Sequence, residues 1–236
     1  MNILSKVKKA GLPAQDINYR YQIYPFRKEA YGITFKKYDI LPAEEDTLLG
    51  EIIDRADKDE VVIDAGAHTG TYTIVLAKFK CQVVAIEPSP IVFEQLRANL
   101  KCNDIDATTR NLGLGNENDE MTFYMSSARA RSSFDPQKAS EKTGNIVDTV
   151  SVDVRSLDSL VADNKVPIPD HIKIDVEGFG PQVLQGATRT LEEHHPTVYW
   201  EPHGTGIDGD DPESVEEYLQ EFGYNITRLD YPVIAE

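Results

Sequence analysis

Two groups of residues have the types and spacing to do chemistry. The first lies in VVIDAGAHTG, residues 61–70, where Asp64, Gly66 and Gly70 form a D-x-G-x-x-x-G pattern around His68 and Thr69. An apolar run, then glycines, then a stretch of helical period reads as strand, sharp turn and helix. Glycine lets the backbone turn through conformations closed to other residues and lets a ligand come close. The helix that follows offers N–H groups at its start, suited to a carboxylate, and Asp64 suits an ammonium. About 20 residues on, Glu87 ends a second apolar run, VVAIE. An acid there in a strand–helix–strand unit is placed to accept both hydroxyls of a ribose. The middle glycine of G-x-G-x-x-G, which makes room for a pyrophosphate, is missing, and this counts against a nicotinamide-dependent dehydrogenase. The expected ligand is a nucleoside that carries an amine and a carboxylate.

The second group comprises Asp175 and Glu177 in KIDVEG, and Glu201 and His203 in WEPHG. Both follow apolar runs that read as strands. In a parallel sheet, ligands sit beyond the carboxyl ends of the strands, so these four side chains are expected to converge beside the first group. A histidine or carboxylate there can take a proton from an acceptor hydroxyl. His203 or Glu177 is the expected base, with Asp175 orienting a partner and Glu201 on the acceptor side. Arg129 and Arg131 lie close together in SSARARSS. Guanidinium forks suit carboxylate or phosphate, so they are expected to hold an anionic acceptor such as a uronic acid or a lipid-linked sugar phosphate.

The elements that must position these residues alternate between strand and helix, which predicts βαβ units and a doubly wound, mostly parallel α/β sheet. Strands are expected at 61–64, 82–87, 108–114, 121–124, 150–154, 171–176 and 197–200, with an edge hairpin from 224–229 and 233–235. Helices are expected at 47–55, 71–80, 90–103 and 212–222. A further helix should carry Val183, Leu184, Ala187 and Leu191 on one face. Residues 126–149 read as a long polar loop, a length that is usually functional or disordered. Residues 1–46 read as an N-terminal extension or cap, and 47–236 as one domain. His194 and His195 read as helix-end residues.

The chain has 236 residues, with 24 Lys and Arg against 40 Asp and Glu, a net charge of −16. Such a balance argues against nucleic acid as a partner. It fits a salt-rich cytoplasm, where repulsion is screened. No apolar run approaches the roughly 20 residues that span a bilayer, and the first residues lack a signal-peptide core. Cys81 and Cys102 are expected to be structural thiols in a reducing compartment. The expected location is cytoplasmic, with peripheral membrane contact open to the basic N-terminal turn of Lys6, Lys8 and Lys9.

These motifs together resemble the FkbM-type methyltransferases, a branch of the class I enzymes that use S-adenosylmethionine (SAM). The resemblance rests on VVIDAGAHTGTYTIVLAK, VVAIEPSP with Asn99 downstream, NLGLGN, SLDSL, and IKIDVEG followed by VLQGA, over roughly residues 44–227. It implies a Rossmann-like seven-stranded fold, SAM as methyl donor, and O-methylation of a sugar, glycan or related hydroxyl compound. It also implies that Asp104, Asn111 and Leu112 flank the adenine. Two positions depart from the family's pattern. His68 stands where Asn is common, and Gly180 where a second Glu is common. The strand-end acids resemble, in addition, the Mg²⁺ site of catechol-type O-methyltransferases, with Asp175 and Glu201 as the ligands such an ion would take. Alternatives are N- or carboxyl-methylation on the same scaffold, or a SAM-binding module without catalysis.

Overall fold

In the computed structural model, residues 47–127, 131–140, 144–203, 212–229 and 232–236 are described, together with two short paired strands, β1 (Asn18–Tyr19) and β2 (Thr34–Phe35). The remainder of the expected extension, Arg129, and residues 204–211 lie outside the described residues.

Helix α1 (Thr47–Arg55) leads into β3 (Val61–Ala65), α2 (Thr71–Lys78), β4 (Gln82–Ile86), α3 (Pro90–Cys102) and β5 (Thr108–Arg110). Later come β9 (His171–Ile174), helices α6 (Gly180–Gln185) and α7 (Thr188–His194), β10 (Thr197–Trp200), α8 (Pro212–Glu221), β11 (Ile226–Arg228) and β12 (Val233–Ala235). The sheet has seven strands in the order β11-β12-β10-β9-β3-β4-β5. All neighbours run parallel except β12, which is antiparallel to both β10 and β11. The order reverses between β3 and β9, so the crevice for a ligand opens at their carboxyl ends.

Strand β3 is buried at every position, as expected of a parallel strand covered on both faces. One face packs Leu48, Leu49 and Ile52 of α1 with Ile74, Leu76, Leu96 and Leu100. The other packs Leu157, Leu160, Val183, Leu191, Val215 and Leu219. Ser89 caps α3 through its side chain, with Pro90 at the first helical position.

In chain order, a second sheet comes between the two halves of the main one. It consists of β6 (Gly113–Leu114), β7 (Asp119–Ser126) and β8 (Ile146–Arg155), in the order β6-β8-β7, with helix α4 (Pro136–Ala139) between β7 and β8. Its core is Phe123, Phe134, Val152, Val154 and Phe179. Several expectations change here. The strand expected over 108–114 is two strands in different sheets. The chain leaves the main sheet at Asn111, whose side-chain amide donates to the carbonyls of Glu87 (2.8 Å) and Pro88 (3.0 Å). Residues 126–149 are not one loop, because they hold α4 and the start of β8.

The single helix expected after β9 is two, broken at Gly186. A β-carbon there would lie 1.9 Å from the carbonyl oxygen of Gly115. Helix α5 (Leu157–Ala162) locks the same corner. Asp158 N–H donates to the Gly186 carbonyl (2.9 Å), and the Asp158 carboxylate accepts from the N–H groups of Arg189 and Thr190 at the start of α7 (2.8 Å each). Thus NLGLGN, SLDSL and VLQGA meet in one packing joint. Cys81 and Cys102 are free thiols. Among the described residues, no helix is long and apolar enough to cross a membrane.

Candidate active site at the carboxyl ends of the central strands

Beyond β3 the chain turns left-handed three times, at Gly66 (φ 75°), His68 (φ 47°) and Gly70 (φ 94°). The N–H groups of Gly66 and Ala67 both donate to the Ile86 carbonyl (3.0 Å each), tying the turn to β4. A β-carbon at Gly66 would sit 1.8 Å from the Asp175 carbonyl oxygen, and one at Gly70 would sit 2.6 Å from Leu96 Cδ1. Both glycines are therefore required by φ and by the protein's own packing, with no need to invoke a ligand's approach. Asn99 Nδ2 holds the Thr69 carbonyl (2.8 Å). The Thr69 hydroxyl is buried without a hydrogen-bond partner. Helix α2 starts on Gly70 with no side-chain cap.

Glu87 closes this cradle from β4. Its Oε2 accepts from His68 N–H (2.9 Å) and its Oε1 from Ser89 N–H (2.8 Å). Burial pushes its carboxyl up to about 7, although those two N–H groups pull the other way. Asn111 stands beside it, on the carbonyls of Glu87 and Pro88, and Leu112 is buried in the adjoining core.

Two expected contacts are corrected. Asp64 is fully buried. Its Oδ2 accepts from the Thr73 hydroxyl (2.6 Å) and its Oδ1 lies 3.1 Å from Lys173 Nζ. It serves the inside of the protein, not a ligand's ammonium. Asp104 belongs to the turn that follows α3, at the amino ends of the strands. The carbonyl of its neighbour Asn103 accepts there from Lys78 at the far end of α2 (3.1 Å). The whole depth of the sheet separates Asp104 from the cradle.

The second group does converge. His203 Nε2 lies 2.7 Å from Asp175 Oδ1, and His203 Nδ1 lies 3.7 Å from Glu177 Oε2. Burial alone would lower the imidazole, but the bond to Asp175 and the charges of Asp175 and Glu177 override it and push it up to about 9. Asp175 moves the opposite way. Burial would raise it, yet Lys173 and His203 hold it below the usual carboxylate range. Glu177 is raised by burial. It has φ 46°, an uncommon conformation for a residue with a β-carbon, and its carbonyl is held by the Ser133 hydroxyl (2.8 Å).

The second sheet supplies a wall. Phe134 packs on Phe179, just after Glu177, with ring centroids 5.0 Å apart. Lys138 is buried and donates to the His203 carbonyl (2.6 Å), and its stem covers Gly178. The charge of Arg131 reaches Glu177. Its expected companion, Arg129, lies outside the described residues.

One residue of the site escaped the sequence reading. Lys173 sits in the middle of a central strand, nearly fully buried. The signal was present: a lone lysine in an apolar strand, two residues before Asp175, shares that residue's face of the pleat. Its partner, Asp64, lies opposite it in the β3–β9 register, which the sequence does not reveal.

Asp175, Glu201 and His203 can each bring one ligand atom within 4.8 Å of the others. The set does not fit Mg²⁺. That ion takes an all-oxygen shell, whereas one donor here is a nitrogen, and Asp175 is already neutralised by Lys173 and His203.

Comparisons with known proteins agree with this architecture. The family described as methyltransferase FkbM domain matches residues 64–226. Hexuronic acid methyltransferase AglP of Haloferax volcanii is 29% identical over 187 residues, covering 78% of this chain and 72% of that protein. Methyltransferase sdnD of Sordaria araneosa is 25% identical over 202 residues, covering 71% and 74%. Among solved structures, methyltransferase FkbM from Methylobacillus flagellatus aligns with a TM-score of 0.55 at 22% identity, covering 77% of this chain. The match takes up 44% of that longer protein, so this chain spans under half of its length. Precorrin-6y C5,15-methyltransferase from Geobacter metallireducens aligns at 0.51 with 15% identity, covering 85% and 91%. At these identities the two structures speak to the fold, which is the Rossmann-like methyltransferase fold. The family match takes in both strand-end groups and spans well over half of the sequence, and on it the chain belongs to the FkbM family of SAM-dependent methyltransferases.

Proposed function

We propose that this chain transfers a methyl group from SAM to an oxygen of an acidic sugar, with residues 47–236 as the methyltransferase domain and 1–46 as its extension. The observation that carries the reading is the His203–Asp175 pair at 2.7 Å, with Glu177 behind it, at the strand ends beside the glycine turn. The likeness to a relative named as a hexuronic acid methyltransferase supports the acceptor class.

The cradle fits the donor. A buried carboxylate at the end of β4, an uncapped helix start and a buried hydroxyl without a partner match a ribose and an amino-acid carboxylate. When bound, SAM supplies an already activated methyl group on sulfur. What this chain must then do is orient the acceptor and manage its proton. His203, oriented by Asp175, accepts the proton of a sugar hydroxyl at one of its ring nitrogens, a contribution of about 10²–10⁴ in rate. Asp175 stays ionised and stabilises the imidazolium that forms. Glu177 flanks the ring, and Arg131 on the wall of the second sheet is set to meet an acceptor carboxylate.

The raised His203 favours a second reading. An imidazole that stays cationic to about pH 9 is also a partner for a carboxylate acceptor, and a carboxylate needs no base to take a methyl group. Initial rates from pH 6.5 to 10 with labelled SAM and hexuronic acid glycans separate the two. Proton abstraction by His203 predicts kcat/KM rising about tenfold per pH unit up to about 9. Ester formation predicts a fall above 9, as the cation is lost. Failure of the purified chain to bind S-adenosylhomocysteine at millimolar concentration, or full activity in His203→Ala, overturns the assignment.

A further inference from the structure

Lys173 carries one ammonium and meets three separate parts of the site. Its Nζ donates to the Gly66 carbonyl (3.0 Å), in the middle of the donor turn. It lies 3.1 Å from Asp64 Oδ1 on β3 and 3.4 Å from Asp175 Oδ2 beyond β9. The tip also lies over the Tyr72 ring, 4.8 Å from its centroid, in the first turn of α2. Nζ also donates to the Ala65 carbonyl (3.4 Å), so the ammonium, which has donors but no acceptor capacity, hydrogen-bonds two carbonyls at the start of the turn and is ion-paired with both carboxylates. Asp175 in turn spends its other oxygen on His203 Nε2 at 2.7 Å. A continuous chain of charged contacts therefore runs from Asp64 through Lys173 and Asp175 to His203, with a branch to the turn at Gly66.

The inner end of this chain of contacts is buried. Asp64 and Lys173 are both buried from solvent, so their attraction is little screened. A lone lysine at such a depth would be a heavy cost without partners. Its position on the central strand, directly opposite Asp64 in register, lets one charged side chain touch both the donor turn and the base's partner. A simple core ion pair would need only Asp64.

We propose that Lys173 is a positioning residue that fixes the glycine turn relative to the His203–Asp175 pair, so that one ammonium sets the spacing between donor cradle and base. The inference rests on the reading that the turn holds SAM and that His203 faces the acceptor. It assigns the spacing between those two halves to a side chain that touches neither substrate.

The test uses the full chain and three variants. Lys173→Met keeps the length of the side chain and removes the charge, but strands Asp64 as an unpaired buried carboxylate and risks misfolding. Asp64→Asn with Lys173→Met removes both charges together and leaves an amide oxygen for the Thr73 hydroxyl. Thr73→Val is the control, because it strips Asp64 of its other bond and leaves the Lys173 bridges intact. Three readouts are taken: calorimetric affinity for S-adenosylhomocysteine, hydrogen exchange at the amides of residues 66–70, and the ¹⁵N shifts of the His203 ring.

The double variant is expected to keep its circular dichroism and lose about tenfold in affinity, the effect of one charge-assisted contact. Its turn amides are expected to exchange faster, and the His203 ring signals to move, while Thr73→Val stays near wild type in all three. A folded double variant with wild-type affinity, exchange and His203 shifts, lower only in melting temperature, overturns the proposal and leaves Lys173 as core packing. If the wild-type chain itself fails to bind S-adenosylhomocysteine, the donor reading fails instead. The exchange and ring-shift measurements still decide whether Lys173 links the two segments.

Discussion

Glu87 shows how a single carboxylate can serve binding at the expense of stability. Burial raises its carboxyl to about 7 from an ordinary 4.5, with the N–H groups of Ser89 and His68 as a partial offset. The unfolded chain titrates this group near 4.5, so between 4.5 and 7 the folded state holds more protons. Its contribution to stability is present in full below 4.5 and is lost as pH rises through 7. Donor binding has the opposite sign, because ribose hydroxyls donate to the carboxylate form. Affinity for S-adenosylhomocysteine should therefore strengthen as pH rises from 5.5 to about 7 and level off above. Glu87→Gln should bind about tenfold or more weakly, with the pH dependence gone. Calorimetry across that range checks the first point. The stability term is checked by melting temperature: relative to Glu87→Gln, which does not titrate here, the wild type should lose progressively more as pH rises from 5 to 8. A wild-type affinity that is flat with pH would remove Glu87 from the donor contacts.

At the scale of elements, the parts legible in the sequence were those decided by local pattern. The βα units from Val61 to Cys102 and the strand at Thr197–Trp200 lie within one or two residues of the periodic signals. The convergence of Asp175, Glu177 and His203 followed from strand ends in a parallel sheet. What escaped was decided by distant partners. The stripe of Val183, Leu184, Ala187 and Leu191 is continuous in helical period, and nothing local announces the break at Gly186. The need for a glycine there comes from Gly115, more than 70 residues away in the chain. The second sheet was missed because β7 and β8 pair across a long insertion, which leaves no short hairpin turn to recognise. Lys173 was missed because its counter-charge is visible only in the register. The Gly186 joint makes a sharp prediction, since its φ of −76° is open to any residue and the β-carbon alone is at fault. Gly186→Ala should cost about 2–3 kcal/mol by overpacking, a fall in melting temperature of roughly 4–10 °C. Gly223→Ala is the contrasting case. It has a φ of 85° but no atom within 4 Å, so its cost is that of backbone handedness alone, about 1 kcal/mol. Equal losses at the two sites in thermal melts would show that the close approach of Gly115 does not set the cost at residue 186.

The whole molecule carries a charge of −16, and how that charge acts depends on where the opposite charges sit. Among the described residues, Lys173 and Asp64 form a fully buried pair, shielded from the solvent and from its ions. Exposed pairs such as Arg97 with Glu94 and Lys58 with Asp59 contribute little at any ionic strength. Added salt therefore has few useful attractions to weaken among the described residues. What it screens is chiefly the mutual repulsion of an acidic surface, which opposes the compact state. The screening length falls from about 10 Å at 0.1 M to about 3 Å at 1 M, shorter than the spacing of most surface carboxylates. The melting temperature should accordingly rise steeply between 0.1 and about 1 M KCl and flatten beyond it, once repulsion is screened. A non-ionic osmolyte gives the control, since sucrose favours burial without touching charge. The temperature gained in KCl should also shrink as pH is lowered towards 4.5, where the carboxylates take up protons and the charge that salt must screen disappears. A melting temperature that is indifferent to KCl, or that gains as much from sucrose at equal water activity, would show that the acidic composition serves solubility alone.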